Sequence, residues 1–217
     1  MIKKRAAVLI SGRGSNMAAL IEAAKDPAFP AEIALVLSNR PAAAGLGLAR
    51  SHAVATAVVD HAPYGKDREA FERKMQELLE AHGIELICLA GFMRLLTPGF
   101  VTRWQGRMIN VHPALLPAFK GLDTHRRAIA AGVRIHGASV HFVVPEMDEG
   151  PIIAQGAVGV RDDDTAATLA DRVLTIEHRI YPAALALLAA GRITIENGRC
   201  RIAGADGGAG HLIVPEM

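Results

Sequence analysis

The sequence predicts an α/β fold, a mostly parallel twisted sheet with helices on both faces that closes in a C-terminal β-hairpin. Three observations carry this prediction. Short continuous apolar runs alternate with stretches of helical periodicity through most of the chain, and such alternation builds parallel strands joined by right-handed crossover helices. Of the 217 residues, 51% are hydrophobic and only 4% aromatic, enough for a core of Ala, Leu, Ile and Val. Near the end, Ile193-Thr194-Ile195-Glu196 and Arg199-Cys200-Arg201-Ile202 flank Asn197-Gly198, a pair that readily adopts the positive φ angles of a type I′ hairpin turn.

Each element follows in order. Ala6 to Ile10 is an apolar strand that runs into Gly12-Arg13-Gly14-Ser15-Asn16, after which Met17, Leu20, Ile21 and Ala24 recur at helical spacing. Ser15 or Asn16 is placed to cap that helix. Ile33 to Leu37 is a second strand, Ala42 to Ser51 a second helix and Thr56 to Val59 a short third strand. A helix with Phe71, Met75, Leu78, Leu79 and His82 on one face leads to a buried strand over Glu85 to Ala90, and a short helix over Pro98 to Trp104 leads to the strand Met108 to His112. Pro113, Pro117 and Gly121 then mark an irregular loop, and Asp123 or Thr124 caps a helix reaching about Ala131. A strand over Gly137 to Val144, an acidic loop over Pro145 to Pro151 and a strand over Ile152 to Val160 follow. Asp164 and Thr165 start a long helix with Leu169, Val173, Ile176 and Ile180 on one face, which Pro182 is expected to bend or restart. No internal repeat or linker interrupts the order, so residues 1–217 read as one domain, with 203–217 a Gly-rich tail that the composition predicts to be mobile.

Charge and cysteine usage narrow the function classes. The net charge is +2 with a pI near 8.7 and no long Lys/Arg block, which gives little support to a nucleic-acid or membrane partner and suits a small anionic ligand. Cys88 and Cys200 form neither a disulfide framework nor a zinc pattern, so a reducing compartment is expected. The basic start Met1-Ile2-Lys3-Lys4-Arg5 is followed by an apolar run that Gly12 to Asn16 interrupts too early for a signal peptide. No apolar run approaches the ~18 residues of a membrane span, so the protein is expected in the cytoplasm.

The most informative stretch is Met108-Ile109-Asn110-Val111-His112-Pro113-Ala114-Leu115-Leu116-Pro117. Side chains alternate along a strand, so Asn110 and His112 project from one face, and Pro113, which cannot donate to a ladder, marks the strand end. Ligands of open parallel sheets bind at that carboxyl edge. By itself the pair also fits a turn former beside a structural histidine. The loop Gly12 to Asn16 opens a helix whose first amides lack intrahelical partners, which suits a phosphate, although a simple tight turn explains the glycines equally well. As a dinucleotide fingerprint the loop is incomplete: Met17 stands at the third glycine position, and Ser38-Asn39-Arg40 follows the second strand where an acid is needed. Arg40 suits a 2′-phosphate, which keeps an NADP-binding oxidoreductase open. Asp148, in Pro145-Glu146-Met147-Asp148-Glu149-Gly150-Pro151, gains interest only if its loop reaches His112, where a carboxylate stabilises an imidazolium. His52, His61, His82 and His141 read as structural. No histidine pair has metal-ligand spacing and no Gly-x-Ser-x-Gly elbow is present, so metal-dependent hydrolysis and serine acylation lose ground.

Taken together, Ile10-Ser11-Gly12-Arg13-Gly14-Ser15-Asn16, Leu89-Ala90-Gly91-Phe92-Met93-Arg94-Leu95-Leu96, Asn110 to Pro117, Ser139-Val140-His141-Phe142-Val143 and Ile176-Glu177-His178-Arg179-Ile180-Tyr181-Pro182 resemble the folate-dependent phosphoribosylglycinamide formyltransferases of purine biosynthesis. The resemblance covers nearly the whole chain in order and implies a Rossmann-like formyltransferase fold. It implies transfer of a formyl group from 10-formyltetrahydrofolate, as cosubstrate, to the amine of 5-phosphoribosylglycinamide, with Asn110, His112 and Asp148 as the catalytic set and no metal. It assigns the acceptor phosphate to Gly14, Ser15 and Asn16, and the ribose or amine end to Glu177. Arg68, Met93, Arg94, Leu95, Leu96, Val144 and Met147 match the folate side. Arg13 and Ala118-Phe119-Lys120 depart from the usual pattern at loop positions. The nearest alternatives are formyltetrahydrofolate deformylase and methionyl-tRNA formyltransferase, which share the Asn-His-Asp chemistry and usually carry a further domain. Small-molecule partners, and a monomer or homodimer, are expected. The sharp turn beside His112 suggests a cis Leu116-Pro117 peptide.

Overall fold

The computed structural model describes residues 2–204 and Val214. Seven strands form one sheet in the order β3-β2-β1-β4-β5-β6-β7. They are β1 (Lys4–Ile10), β2 (Ala31–Ser38), β3 (Thr56–Val58), β4 (Leu86–Leu89), β5 (Met108–His112), β6 (Ile135–Phe142) and β7 (Ile152–Gly159). The pairs from β3 through β5 are parallel, and β6 and β7 join antiparallel. The helices are α1 (Ser15–Ala24), α2 (Ala44–Ser51), α3 (Arg68–Ala81), α4 (Pro98–Arg103), α5 (Thr124–Ala130) and α6 (Ala166–Ala189). The predicted hairpin is present as β8 (Ile193–Glu196) and β9 (Arg199–Ile202), with Asn197 at φ 50° and Gly198 at φ 73°. Of the Gly-rich tail only Ala203, Gly204 and Val214 are among the described residues, so the expectation of mobility falls outside them.

Period-two alternation sends neighbouring residues of one strand into two cores. In β1, Ala6, Val8 and Ile10 pack with Met17 and Leu20 of α1 and Tyr181 and Leu185 of α6. Ala7 and Leu9 pack on the other side with Phe71, Met75 and Leu79 of α3 and Trp104 beyond α4. Helices therefore cover both faces, and the chain leaves β1 toward β3 in one direction and resumes at β4 in the other. That reversal opens a crevice between the carboxyl ends of β1 and β4, the usual ligand position in such sheets.

Several local expectations need correction. The cap of α1 is Gly14, at φ 80°, with no side-chain cap, so Ser15 and Asn16 are the first two helical residues. Asp123 precedes α5 as expected but sits at φ 57° and turns its carboxylate to Arg126 at 2.6 Å instead of capping the helix. β6 stops at Phe142, short of Val144. Pro182 neither ends nor restarts α6, which runs unbroken from Ala166 to Ala189. Burial of Tyr181, Pro182, Ala184 and Leu185 holds this segment helical despite the missing amide, since packing rather than propensity supplies most helix stability. Thr165 forms the start of α6 as expected, in a reciprocal capping arrangement with Thr168. The Leu116–Pro117 peptide is cis, as the turn suggested.

Candidate active site

The β5–β6 ladder sets the site. Its antiparallel register places Asn110 opposite His141 and His112 opposite Ser139, so four polar side chains share one face. The opposite face of the same strands carries Ile109, Val111, Val140 and Phe142 into the core. Loops roof the polar face. Ser139 Oγ donates to the Ala114 carbonyl at 2.7 Å and accepts from the Leu116 amide at 3.0 Å and from Gln155 Nε2 at 2.9 Å. These bonds fix the turn after His112 against β6 and β7.

Asp148 arrives from the β6–β7 loop. Gly150 makes this possible, because a Cβ there would stand 1.7 Å from the Phe142 carbonyl oxygen, so only glycine lets the loop fold down on β6. Asp148 itself adopts φ 57°, a left-handed conformation uncommon outside glycine but more accessible to Asp than to most residues. Its Oδ2 accepts from the Gly121 amide at 2.9 Å and lies 3.5 Å from His112 Nδ1. On the far side of the ring, His112 Nε2 stands 3.0 Å from the Phe119 carbonyl oxygen. Both ring nitrogens thus face acceptors, an arrangement that the doubly protonated imidazolium satisfies and either neutral tautomer leaves half satisfied.

The sequence missed the role of His141. Its ring is 3% exposed, Nδ1 donates to the Phe142 carbonyl at 2.8 Å, and burial holds the imidazole below its ordinary pKa against the opposing pulls of that carbonyl and of Asp148. The neutral ring therefore presents Nε2 as an acceptor, and Asn110 Nδ2 donates to it at 3.2 Å. This contact selects which way the Asn110 amide points. Asp148 Oδ1 lies 3.8 Å from the same nitrogen, so one carboxylate touches both histidines. A His two residues after a Ser on a strand paired with Asn-x-His was the available signal, but strand pairing is not readable from one segment.

The crevice between β1 and β4 is a cavity of about 340 Å3 bordered by Ser11, Arg13, Gly14, Asn16, Arg40 and Met93. Gly14 and Gly45 approach so closely that a Cβ on Gly45 would stand 2.6 Å from Ile10 Cδ1 and 3.1 Å from the Gly12 oxygen. Asn16 Nδ2 donates to Glu177 Oε2 at 2.5 Å, joining the glycine loop to α6. Burial pushes the Glu177 carboxyl above its ordinary pKa, with the Asn16 bond and the charge of His112 pulling the other way. One turn further along α6, Tyr181 Oη lies 3.0 Å from the Leu89 carbonyl oxygen and 3.2 Å from that of Ile109, which fixes the helix on β4 and β5. The glycine loop, Glu177 and the histidine cluster thereby converge.

The chain matches the Formyl transferase family over residues 4–185. It belongs to that family. The chain is 42% identical to the phosphoribosylglycinamide formyltransferase of Escherichia coli over 186 residues, which cover 86% of this chain and 87% of that protein. It is 48% identical over 198 residues, 91% of its length, to the human trifunctional purine biosynthetic protein adenosine-3, and spans only about a fifth of such trifunctional relatives (20%). Among solved structures, glycinamide ribonucleotide transformylase 1 from Symbiobacterium toebii aligns with a TM-score of 0.89 at 45% identity, covering 92% of this chain and 94% of that one. A formyltetrahydrofolate deformylase from Pseudomonas syringae also aligns, with a TM-score of 0.85 at 26% identity, and the alignment covers 92% of this chain and 66% of that one.

The residues expected on the folate side are spread over three segments of the chain. Met93, Leu95 and Met147 are 61%, 66% and 57% exposed, and Leu122, which the sequence reading passed over, is 75% exposed. Met147 Cε would stand 3.8 Å from a Cβ on Gly121, so the two roofing loops meet there. Large apolar side chains left in solvent beside a polar site mark a binding surface. Leu96 is half-buried against the α3 core, Val144 is half-buried, and the Arg94 guanidinium lies 5.5 Å from the Phe71 ring centre. Arg68 is exposed at the start of α3, and its guanidinium has no hydrogen-bond or ion-pair partner among the described residues. The Met93 amide donates to Ser11 Oγ at 2.7 Å, and Ser11 Oγ donates to Asn39 Oδ1 at 2.6 Å, so the folate-side loop is tied directly to the glycine loop.

Proposed function

We propose that this chain transfers the formyl group of 10-formyltetrahydrofolate to the amine of 5-phosphoribosylglycinamide, giving the N-formyl product and tetrahydrofolate in the cytoplasm. The observation that carries the reading is the convergence of Asn110, His112 and Asp148 at the end of β5 beside the Asn16–Glu177 pair. An uncharged amine attacks the formyl carbon, a C–N bond forms, and the carbonyl oxygen becomes an oxyanion. The Asn110 amide hydrogen not given to His141, together with the His112 imidazolium, stabilises that charge. Asp148 holds the imidazolium in place. As the bond from carbon to N10 breaks, a proton delivered through His112 reaches N10, and the proton lost by the attacking amine restores the ring. The acceptor position opposite His112 Nε2, now taken by the Phe119 carbonyl, is where a substrate oxygen or nitrogen would exchange in.

Gly14, Ser15 and Asn16 offer the uncapped amides of α1 to the acceptor phosphate, and Glu177 meets the ribose or amine end. The apolar rim of Met93, Leu95, Leu96, Val144 and Met147 suits a flat pterin ring, with Arg68 and Arg94 available for carboxylates of the folate. The test is to mix purified protein with 10-formyltetrahydrofolate and follow the ultraviolet change on loss of the formyl group, with and without 5-phosphoribosylglycinamide. Loss that requires the acceptor is expected. Acceptor-independent loss would instead indicate the deformylase activity named for the Pseudomonas syringae relative.

A further inference from the structure

The glycine-loop cavity collects more positive charge than its fold requires. Arg13 borders it from the loop after β1 and Arg40 from the loop after β2. Both arginines are exposed, and neither guanidinium has a hydrogen-bond or ion-pair partner among the described residues. Among the described residues no acidic side chain borders the cavity. The uncapped amino terminus of α1 adds its own partial positive charge at the same place. Like charges gathered without a counter-charge oppose folding, so the arrangement is explained by an anion that arrives later. Its frame is also rigid. Ser38 Oγ accepts from the Arg40 amide at 3.0 Å and donates to the Arg40 carbonyl at 2.9 Å, and the Gly45 amide donates to the Gly12 carbonyl at 3.0 Å.

We infer that Arg13 and Arg40 close on the acceptor's phosphate from two sides and make this chain selective for a phosphomonoester dianion over an unphosphorylated acceptor. The inference rests on the formyl-transfer reading of the site and adds two residues to its acceptor end. The backbone amides of Gly14 to Asn16 fix where the phosphate sits, and the two guanidinium forks supply charge and bidentate hydrogen bonds to its outer oxygens. Both arginines act on binding, remote from the carbon that reacts, so they contribute to KM more than to kcat.

The experiment compares Arg13→Ala, Arg40→Ala, the double variant and Arg13→Lys with the parent, using 5-phosphoribosylglycinamide and its dephosphorylated counterpart. Each alanine variant is expected to raise KM for the phosphorylated acceptor about 10-fold while kcat falls by no more than about 2-fold. The double variant should also flatten the rise of KM with added salt, and Arg13→Lys should recover part of the loss. For the dephosphorylated acceptor, kcat/KM should be the same in all variants, as should KM for the folate. An unchanged KM in the double variant, or equal losses with both acceptors, overturns the inference and leaves the transfer reading standing. If the parent shows no acceptor-dependent loss of formyl, the transfer reading fails, and titration with inorganic phosphate still decides the pocket. Weaker binding to the double variant supports the guanidinium pair, and equal binding overturns it.

Discussion

The proposed acceptor end and the proposed transfer end of the site are built in opposite ways. At the acceptor end one short segment does almost everything: β1 ends, Gly14 turns the chain at φ 80°, and α1 begins with its amides uncapped. At the transfer end no segment suffices. Asn110 takes its orientation from His141 on the neighbouring strand, His112 faces a carboxylate from the β6–β7 loop, and Ser139 holds down the turn between them. The first is a local device whose function lies in the backbone, and the second is a long-range assembly of side chains. Substitutions should therefore separate them, with the acceptor end responding in KM and the transfer end in kcat.

The largest separation is expected from His112→Ala. Removing both an oxyanion partner and the proton carrier should lower kcat by about 1,000-fold, with affinity for 5-phosphoribosylglycinamide within a few-fold of the parent. Calorimetric titration of the acceptor alongside turnover checks both halves, and a variant that turns over normally removes His112 from the chemistry. His141→Ala is expected to cost less, about 10- to 100-fold in kcat, because Asn110 remains but loses the acceptor that directs its amide. A loss in acceptor KM rather than kcat would place His141 at the wrong end of the comparison.

Gly45→Ala breaks the acceptor end from outside. The added Cβ would meet Ile10 Cδ1 at 2.6 Å, so the end of that side chain must move, and it would press on the glycine loop at the Gly12 carbonyl oxygen, 3.1 Å away. Overpacking of this kind costs about 1–3 kcal/mol, which at this chain length lowers Tm by roughly 3–10 °C. The same shift should raise KM for the acceptor several-fold and leave kcat almost untouched. Equal damage to kcat would mean that the two ends are not mechanically separable, for which the Met93–Ser11–Asn39 chain of hydrogen bonds offers a route.

This contrast also explains what could be read from sequence. The glycine loop, the apolar runs, the Asn-Gly hairpin and the Asn110/His112 alternation are local patterns, and the strands and helices they predict are present within a few residues. The placement of Asp148 was conditional, because only the fold shows that Gly150 lets its loop pack on β6. His141 looked structural for the same reason: its partner lies 31 positions away and meets it only through an antiparallel register. Outside the site, Glu72 was not singled out from the sequence, yet it is buried and accepts from the Thr97 amide at 2.6 Å.

The smallest expected effect concerns pH, and it too should fall on one end only. His136 lies under the loop that roofs His112: its ring meets Phe119 edge-on at 5.7 Å and His125 at 5.3 Å, and its Nε2 is buried without a partner among the described residues. Burial, with smaller contributions from the charges of His125 and His112, pushes its pKa down from 6.5 to about 4. His125 is lowered in the same sense, chiefly by burial. Between those values the unfolded chain binds a proton that the folded chain refuses, so stability rises with pH. It is complete above about pH 6.5 and is lost as pH falls toward 4. Thermal melts of the parent at pH 7.5 and 5.0 should accordingly differ by a few degrees more than those of His136→Gln. Parallel losses in the two proteins would show that His136 is not the group responsible. A loss of stability carried by His136 should therefore loosen the roof over His112 first, and leave the glycine loop, which is held by a backbone bond to α2, in place.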